Sequence, residues 1–294
     1  MLYGLGDSVT FGEDDLRYEP SDGDRGYVGR FADALAAQEG ERPIVRNFAI
    51  DGETASSFMT GNGRTPPVVV RTDAILALQN TNYSETGGIR TQETQFRQAA
   101  AQDAAAGNDI VGITVTLGFN ELAALASLPT DEALAQIPAT LDDYEGNYRS
   151  VLSTIRAEAP DAPLYLLGYY NPFPADPDSP AAPIFNEAGT DLNGIISMLA
   201  GDYGASFVDV APAFVGNEAE YTFLDDQPAG FVINGPFGGV EPIGNVHATD
   251  AGYDAIAGVL TAQVAPVPLP AGLPLYAAGL LGAGLVLRRS KRRT

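Results

Sequence analysis

The sequence has no cysteine and only one histidine among its 294 residues, and each shortage excludes a class of chemistry. Without cysteine there are no disulfides, no thiolate metal sites and no cysteine nucleophile. With His247 as the only histidine, a transition-metal site is not expected, and neither a metal nor any other cofactor is predicted. For the same reason, any mechanism that pairs a serine with a histidine must use His247.

Basic residues are also scarce, at 16 against 38 acidic ones, which gives a net charge of −22. Five of the 16 lie in residues 288–293, so the rest of the chain is more acidic still. Such a chain repels phosphate backbones, and no nucleic-acid partner is expected. The acidity favours solubility in a salty medium. An alternative is calcium binding by a group of aspartates that lacks the regular spacing of a calcium loop, namely Asp14, Asp15, Asp22 and Asp24.

Apolar segments alternate with helical patterns along the chain. This alternation predicts an α/β fold with a five-stranded parallel sheet covered by helices on both faces. Functional sites in such sheets form at the carboxyl ends of the strands. The predicted strands are 2–5, 44–50, 110–117, 164–169 and 206–210, and the predicted helices are 27–37, 91–106, 141–158, 186–200 and 250–264, the last with Thr249 as N-cap. Residues 172–184 and 224–246 are predicted to be long surface loops.

Four residues suited to ester chemistry stand at the predicted strand ends or before the last helix. Ser8 lies in a Gly-Asp-Ser turn after the first strand, which exposes a nucleophilic oxygen. Gly52 follows the second strand, where a glycine lets a backbone N–H approach a developing oxyanion. Asn120 follows the third strand, and its amide can donate to the same oxyanion. His247 precedes the last helix as the candidate base.

These blocks, in this order, resemble the SGNH/GDSL family of serine esterases and lipases. The resemblance covers about residues 1–265, the predicted hydrolase domain. It implies a three-layer α/β/α sandwich whose parallel sheet has the flavodoxin-like strand order. It also implies that Ser8 is the nucleophile, that His247 is the general base, and that Ser8, Gly52 and Asn120 form the oxyanion hole. The implied reaction is hydrolysis of a carboxylic ester, from lipid esters to acetylated carbohydrates.

The sequence departs from the family pattern at the third member of the triad. The family usually has an aspartate three residues before the histidine, and that position is Gly244 here. Glu121 also replaces the family's aspartate after the asparagine, and Ala248 replaces a proline that often follows the histidine. A backbone carbonyl could orient the histidine in a Ser–His dyad, or an acid from elsewhere could do so. The candidate acids are Glu241, Asp225, Asp226 and Asp250.

Loss of the orienting acid lowers the rate of one protease by about 10⁴-fold. Two alternatives to an ester hydrolase therefore stay open. One is a catalytically weak or inactive cell-surface protein that keeps the fold for binding. The other is an acyltransferase on the same fold that passes the acyl group to a sugar.

Residues 266–294 have a different character from the rest of the chain. A proline-rich stretch, an uncharged apolar run at 273–287 and an arginine-rich cluster follow one another. The layout resembles a VPLPA-type PEP-CTERM sorting signal, which implies processing by an exosortase, transient membrane insertion of residues 273–287, and export to the surface or exterior of a Gram-negative bacterium. The basic cluster favours a cytoplasmic C-terminus. Because export needs an N-terminal leader and none follows Met1, we expect either that translation starts upstream of it or that the leader is absent from this sequence.

Overall fold

Five parallel strands in the order β2-β1-β3-β4-β5 form the central sheet, as the alternation of segments predicted. This is the flavodoxin-like order that the family resemblance implied. Every residue of β1 and β3 is buried, as expected for strands covered on both faces. The strands are β1 (Leu2–Gly6), β2 (Val45–Asn47), β3 (Gly112–Thr116), β4 (Leu164–Leu167) and β5 (Ser206–Val208). This computed structural model describes residues 1–15, 24–61, 91–233 and 239–264.

The helices within those ranges pack in two groups, α2 against α10 and α6 against α3, α4 and α7. Two helix starts are capped as their sequences suggest: Thr91 accepts a hydrogen bond from Thr94 N, and Thr249 Oγ1 accepts one from Gly252 N at 3.3 Å. The predicted N-cap of the last helix is thereby confirmed. The helices are α1 (Ser8–Phe11), α2 (Gly26–Glu39), α3 (Ala55–Thr60), α4 (Gln92–Ala106), α5 (Phe119–Ala123), α6 (Thr130–Glu158), α7 (Ala182–Asp202), α8 (Ala211–Phe214), α9 (Glu218–Tyr221) and α10 (Asp250–Gln263).

Three regions differ from the sequence-based expectation. Helix α6 begins eleven residues before the predicted start, because Pro138 interrupts the apolar periodicity and proline usually ends a helix. The predicted loop at 224–246 contains an antiparallel hairpin of β6 (Phe231–Ile233) and β7 (Gly239–Glu241). Its paired residues Val232 and Val240 are both exposed, so the hairpin lacks the apolar–polar alternation that marks a half-buried strand. The predicted loop at 172–184 likewise holds a 3₁₀ turn and the start of α7.

Residues Met1–Gln263 form one compact unit. Within the described part of the chain, no helix is both long and apolar enough to cross a membrane. The predicted membrane-inserting segment 273–287 and the rest of the tail lie outside the described residues.

Candidate active site

Ser8 is the first residue of α1, directly after β1. The turn between them requires glycine: Gly6 has a φ of +124°, and a Cβ there would lie 2.0 Å from the carbonyl oxygen of Thr116 on β3. Asp7 caps the helix by accepting a hydrogen bond from Val9 N at 3.1 Å. Ser8 is largely buried, with 8% of its surface exposed. The Gly-Asp-Ser turn therefore holds the serine where the sequence predicted, at the carboxyl end of the strand.

Asp7 lies buried beneath the serine and fixes this turn. Thr116 Oγ1 donates a hydrogen bond to its carboxylate at 2.8 Å, and the Tyr169 hydroxyl donates another. Burial raises the pKa of Asp7 to about 6, although the hydrogen bonds from Tyr169, Thr116 and Val9 act in the opposite direction. These contacts join the turn after β1 to the last residue of β3 and to the segment after β4, next to the candidate nucleophile.

Gln92, at the start of α4, holds the end of β1 by a second set of contacts. Its Oε1 accepts from Gly6 N at 2.6 Å, while its Nε2 donates to Gly6 O and to a carboxylate oxygen of Glu53, both at 2.9 Å. One fully buried side chain thus ties the strand before Ser8 to the loop that carries Gly52. Sequence reasoning missed this residue, because a glutamine at a helix start gives no signal of a partner far along the chain.

The three expected oxyanion donors follow β1, β2 and β3 at the same edge of the sheet. Asn120 Nδ2 donates to the carbonyl oxygen of Glu53 at 2.9 Å, which places the amide beside the turn of Gly52. Gly52 has a φ of +73°, and Ile50 N, two residues earlier, donates to the last residue of β1 at 2.9 Å. Neither Ser8 N nor Gly52 N has an acceptor among the described residues. Both N–H groups are therefore available to a substrate oxygen.

His247 lies among carboxylates. Its Nε2 is 3.6 Å from a Glu13 carboxylate oxygen, and its Nδ1 is 3.6 Å from one of Asp14 and 2.9 Å from the Asn245 side-chain oxygen. Burial alone would lower the pKa of His247, but the carboxylates of Glu13, Asp14 and Asp51 outweigh it and raise the pKa to about 10. The imidazole is therefore mostly protonated at neutral pH.

No hydrogen bond joins Ser8 Oγ to His247 in the described part of the chain. Glu13 connects the two residues, because its N–H donates to Ser8 O at 3.1 Å while its carboxylate faces the imidazole of His247. Catalytic hydrogen bonds are often formed only when substrate binds. The structure thus links the predicted nucleophile and the predicted base through Glu13.

The acids beside His247 are not those that the sequence suggested. Asp250 instead pairs with Arg30 at 3.0 Å, and Asp225 and Asp226 are exposed on the segment before the hairpin. Glu241 lies in β7, where its carbonyl oxygen accepts from Gly230 N. Glu13 and Asp14 take the place beside the ring, which the sequence did not indicate, since they lie more than 230 residues from His247.

Glu121, the substitute for the family's aspartate, is tied to α3. Its Oε1 accepts from Ala55 N at 2.7 Å. Burial raises the pKa of Glu121 to about 7, and the charges of Asp7 and Glu53 add to that effect. This side chain therefore supports the loop beside Asn120 and carries a proton for part of the time near neutral pH.

Three of these side chains could hold a cation, since Glu13, Asp51 and His247 offer ligand atoms within 4.8 Å of one another. His247 is also the only histidine in the sequence and the predicted general base. The described aspartates that were suggested for calcium binding lie beside other charged groups. Asp15 binds Arg30 at 2.7 Å, and Asp24 binds Arg42 at 3.1 Å. Asp14 faces His247, and Asp22 lies outside the described residues.

Comparison with known proteins agrees with the observed fold and with the family resemblance of the sequence. The sequence model of the GDSL-like lipase/acylhydrolase family matches residues 5–255. The lipase Lip_vut3 from a goat rumen metagenome is 20% identical over 90% of this chain and 96% of that one, with a TM-score of 0.58. Phospholipase A1 from Streptomyces albidoflavus NA297 (18% identity, 89% and 98% coverage) and an extracellular lipase from Streptomyces rimosus (20%, 89% and 98%) both give a TM-score of 0.52. At these identities the likeness shows a shared fold. No curated protein matches significantly.

Proposed function

The chain belongs to the GDSL-like lipase/acylhydrolase family and is a hydrolase that acts on ester bonds, and we propose that Ser8 is its nucleophile and His247 its general base. One observation carries the proposal. The loop of the only histidine faces the turn that Ser8 begins, with Glu13 of that turn 3.6 Å from the imidazole. The N–H groups of Ser8 and Gly52 and the amide of Asn120, which follow three neighbouring strands, support an oxyanion hole.

The reaction proceeds in two steps. In the first, Ser8 Oγ bonds to the ester carbonyl carbon while its proton moves to His247 Nε2, and the charge on the carbonyl oxygen is stabilised by Ser8 N, Gly52 N and Asn120 Nδ2. The bond to the alcohol oxygen then breaks, and that oxygen takes the proton from Nε2. In the second step, water attacks the acyl-enzyme and gives a proton to Nε2. That proton returns to Ser8 Oγ as the carboxylic acid leaves.

Hydrolysis of p-nitrophenyl esters by purified protein tests this assignment. We expect Ser8→Ala and His247→Ala to lose activity by at least about 10³-fold, since each removes a group that the others cannot replace. Ser150→Ala, which changes an exposed serine on α6, serves as the matched control and keeps full activity. Covalent labelling by a fluorophosphonate, mapped to Ser8 by mass spectrometry, checks the nucleophile separately. Full activity in Ser8→Ala would contradict the assignment.

The same assay addresses the substrate and the alternative functions. A series of acyl chains from acetate to long-chain esters separates a preference for small acetyl groups from one for lipids. A folded protein that neither cleaves these esters nor reacts with the fluorophosphonate would favour a binding protein, which Gly244 makes a specific alternative. Transfer of the acyl group to an added sugar would instead identify an acyltransferase.

The sequence of residues 266–294 supports a second proposal, that an exosortase processes this tail during export to the cell surface. The proline-rich stretch, apolar run and basic cluster are the basis for it. Recovery of the intact chain only in the cytosol of a host that carries an exosortase would argue against it.

A further inference from the structure

The position that carries the triad acid in the family is closed in this fold. Gly244 has a φ of +82°, which L side chains rarely adopt. A Cβ there would lie 2.3 Å from Leu224 Cδ2 and 3.0 Å from the backbone of Pro228 and Ala229. Leu224 is fully buried and cannot move aside easily. Any side chain that orients His247 must therefore come from another position.

Asn245, the next residue, lies where its side chain can orient His247. Its side-chain oxygen accepts a hydrogen bond from the backbone N–H of His247 at 3.1 Å and lies 2.9 Å from His247 Nδ1. Its side-chain nitrogen donates to the Asp14 carboxylate at 2.9 Å and to the Gln227 side-chain oxygen at 3.0 Å. A backbone N–H can only donate and a carboxylate can only accept, so both neighbours fix the same orientation of the amide.

That orientation decides which ring nitrogen carries the proton in the neutral imidazole. The amide oxygen can only accept, so Nδ1 must donate to it and must carry a hydrogen. The lone pair of the neutral ring is then on Nε2, the nitrogen that the mechanism uses. We propose that Asn245, held by Asp14, is the positioning residue that replaces the family's aspartate. This inference rests on the proposed roles of Ser8 and His247.

Asp14 supplies the negative charge that an asparagine lacks. Its carboxylate is 3.6 Å from Nδ1, close enough to stabilise the imidazolium that forms when Ser8 gives up its proton. Asp14 is also the only residue other than glycine with a positive φ, at 61°, in the described ranges. Aspartate tolerates this conformation at a modest cost, and such outliers gather at functional sites. With 41% of its side chain exposed, water screens part of its effect.

The single histidine allows a direct test in the full chain labelled with ¹⁵N-histidine. Wild type should show one downfield Nδ1–H proton, protected from water by Asn245. In Asn245→Ala we expect that resonance to broaden or vanish through exchange, and in Asn245→Asp to persist further downfield. Asp14→Asn, which keeps a residue that tolerates the same backbone, should shift it upfield. The control Asp226→Asn, at an exposed position, should leave it unchanged.

Activity provides the second readout. We expect Asn245→Ala to lower kcat by about 10²- to 10⁴-fold with little change in KM, and Asn245→Asp to restore most of it. Asp14→Asn should lower kcat by about threefold to tenfold, because its charge acts from a partly exposed position. An Nδ1–H resonance and a kcat that do not respond to Asn245→Ala would overturn the inference. Activity that survives Ser8→Ala would instead overturn the proposed function, so the two failures are distinguishable.

Discussion

At the scale of single residues, Glu13 is the carboxylate beside the ring nitrogen that the proposed mechanism uses as a base. Its carboxylate is buried and lies 3.6 Å from His247 Nε2, where it favours the imidazolium form. With the pKa of His247 raised to about 10, the neutral base appears only as the pH rises towards that value. We therefore expect kcat/KM for ester hydrolysis to increase through the alkaline range.

Glu13→Gln removes this charge and should lower the pKa that governs kcat/KM by about 1–3 units, moving activity towards neutral pH. The measurement is a pH profile of wild type, Glu13→Gln and Glu39→Gln, the last changing an exposed glutamate at the end of α2. Identical profiles for all three proteins would show that Glu13 does not set the protonation of His247.

The sequence suggested candidate catalytic residues but not the residues that support them. Ser8, Gly52, Asn120 and His247 each stand at a strand end or before a helix, in a local pattern that can be read from neighbouring residues. Gln92 and Asn245 act through partners 86 and 231 residues away. No local pattern encodes such pairs, because the fold alone brings them together.

At the scale of secondary structure, Arg30 joins helix α2 to helix α10. Its guanidinium, 4% exposed, binds Asp15 at 2.7 Å, Asp250 at 3.0 Å and Asp254 at 2.8 Å. Asp15 directly follows Asp14, and α10 begins three residues after His247. This one side chain therefore fixes both loops that enclose the imidazole.

Arg30→Leu leaves the fully buried Asp15 without its guanidinium, and we expect it to lower the free energy of unfolding by about 3–5 kcal/mol. Arg42→Leu breaks ion pairs that are partly exposed to water and should cost less than about 1 kcal/mol. Urea unfolding followed by circular dichroism compares the two variants with wild type. An equal, small loss in both would mean that the buried pair does not stabilise the helix packing.

The sequence predicted whether a segment is a strand or a helix more reliably than it predicted where that segment begins and ends. The five strands and the helices α2, α4, α7 and α10 appear where periodicity predicted them. The first turn of α6 contains Asp131 and Glu132, which suit a helix N-terminus, yet Pro138 obscured the continuity of that helix. The hairpin was missed because its exposed valines carry no burial pattern.

At the scale of the whole molecule, protonation and net charge act on stability in the same direction. The pKa values of Asp7, Glu121 and His247 are raised to about 6, 7 and 10 in the folded state. Stability from a raised pKa is fully present below the unfolded value and is lost as the pH rises through the folded one. The net charge of −22 adds self-repulsion at high pH.

We expect Tm to fall steadily from pH 5 to pH 10, by about 2–4 °C for each kcal/mol lost. Sodium chloride at about 1 M should recover only the part due to long-range repulsion, since it shortens the screening length to about 3 Å. Glu121→Gln should flatten the decline between pH 5 and pH 7. Thermal unfolding measured across this pH range at low and high salt tests these expectations. A Tm that rises with pH would contradict the raised pKa values of these groups.

The order of the strands in the sheet cannot be predicted from the alternation of strands and helices alone. Alternating strands and helices predict a parallel sheet, but the order β2-β1-β3-β4-β5 depends on the side towards which each crossover runs. That order came from the family resemblance, because it is a property of distant pairings rather than of any one segment.

The sheet places its first strand between β2 and β3, and this has a consequence for synthesis of the chain. β1 pairs with β3, which follows it by more than a hundred residues, and the proposed base, His247, lies more than 230 residues after the proposed nucleophile, Ser8. N-terminal segments emerge first during translation. Ser8 is therefore synthesised long before its proposed partner, His247. Under the proposed mechanism, esterase activity appears only after residue 247 has been synthesised and has folded against the sheet, so chains truncated before that residue stay inactive.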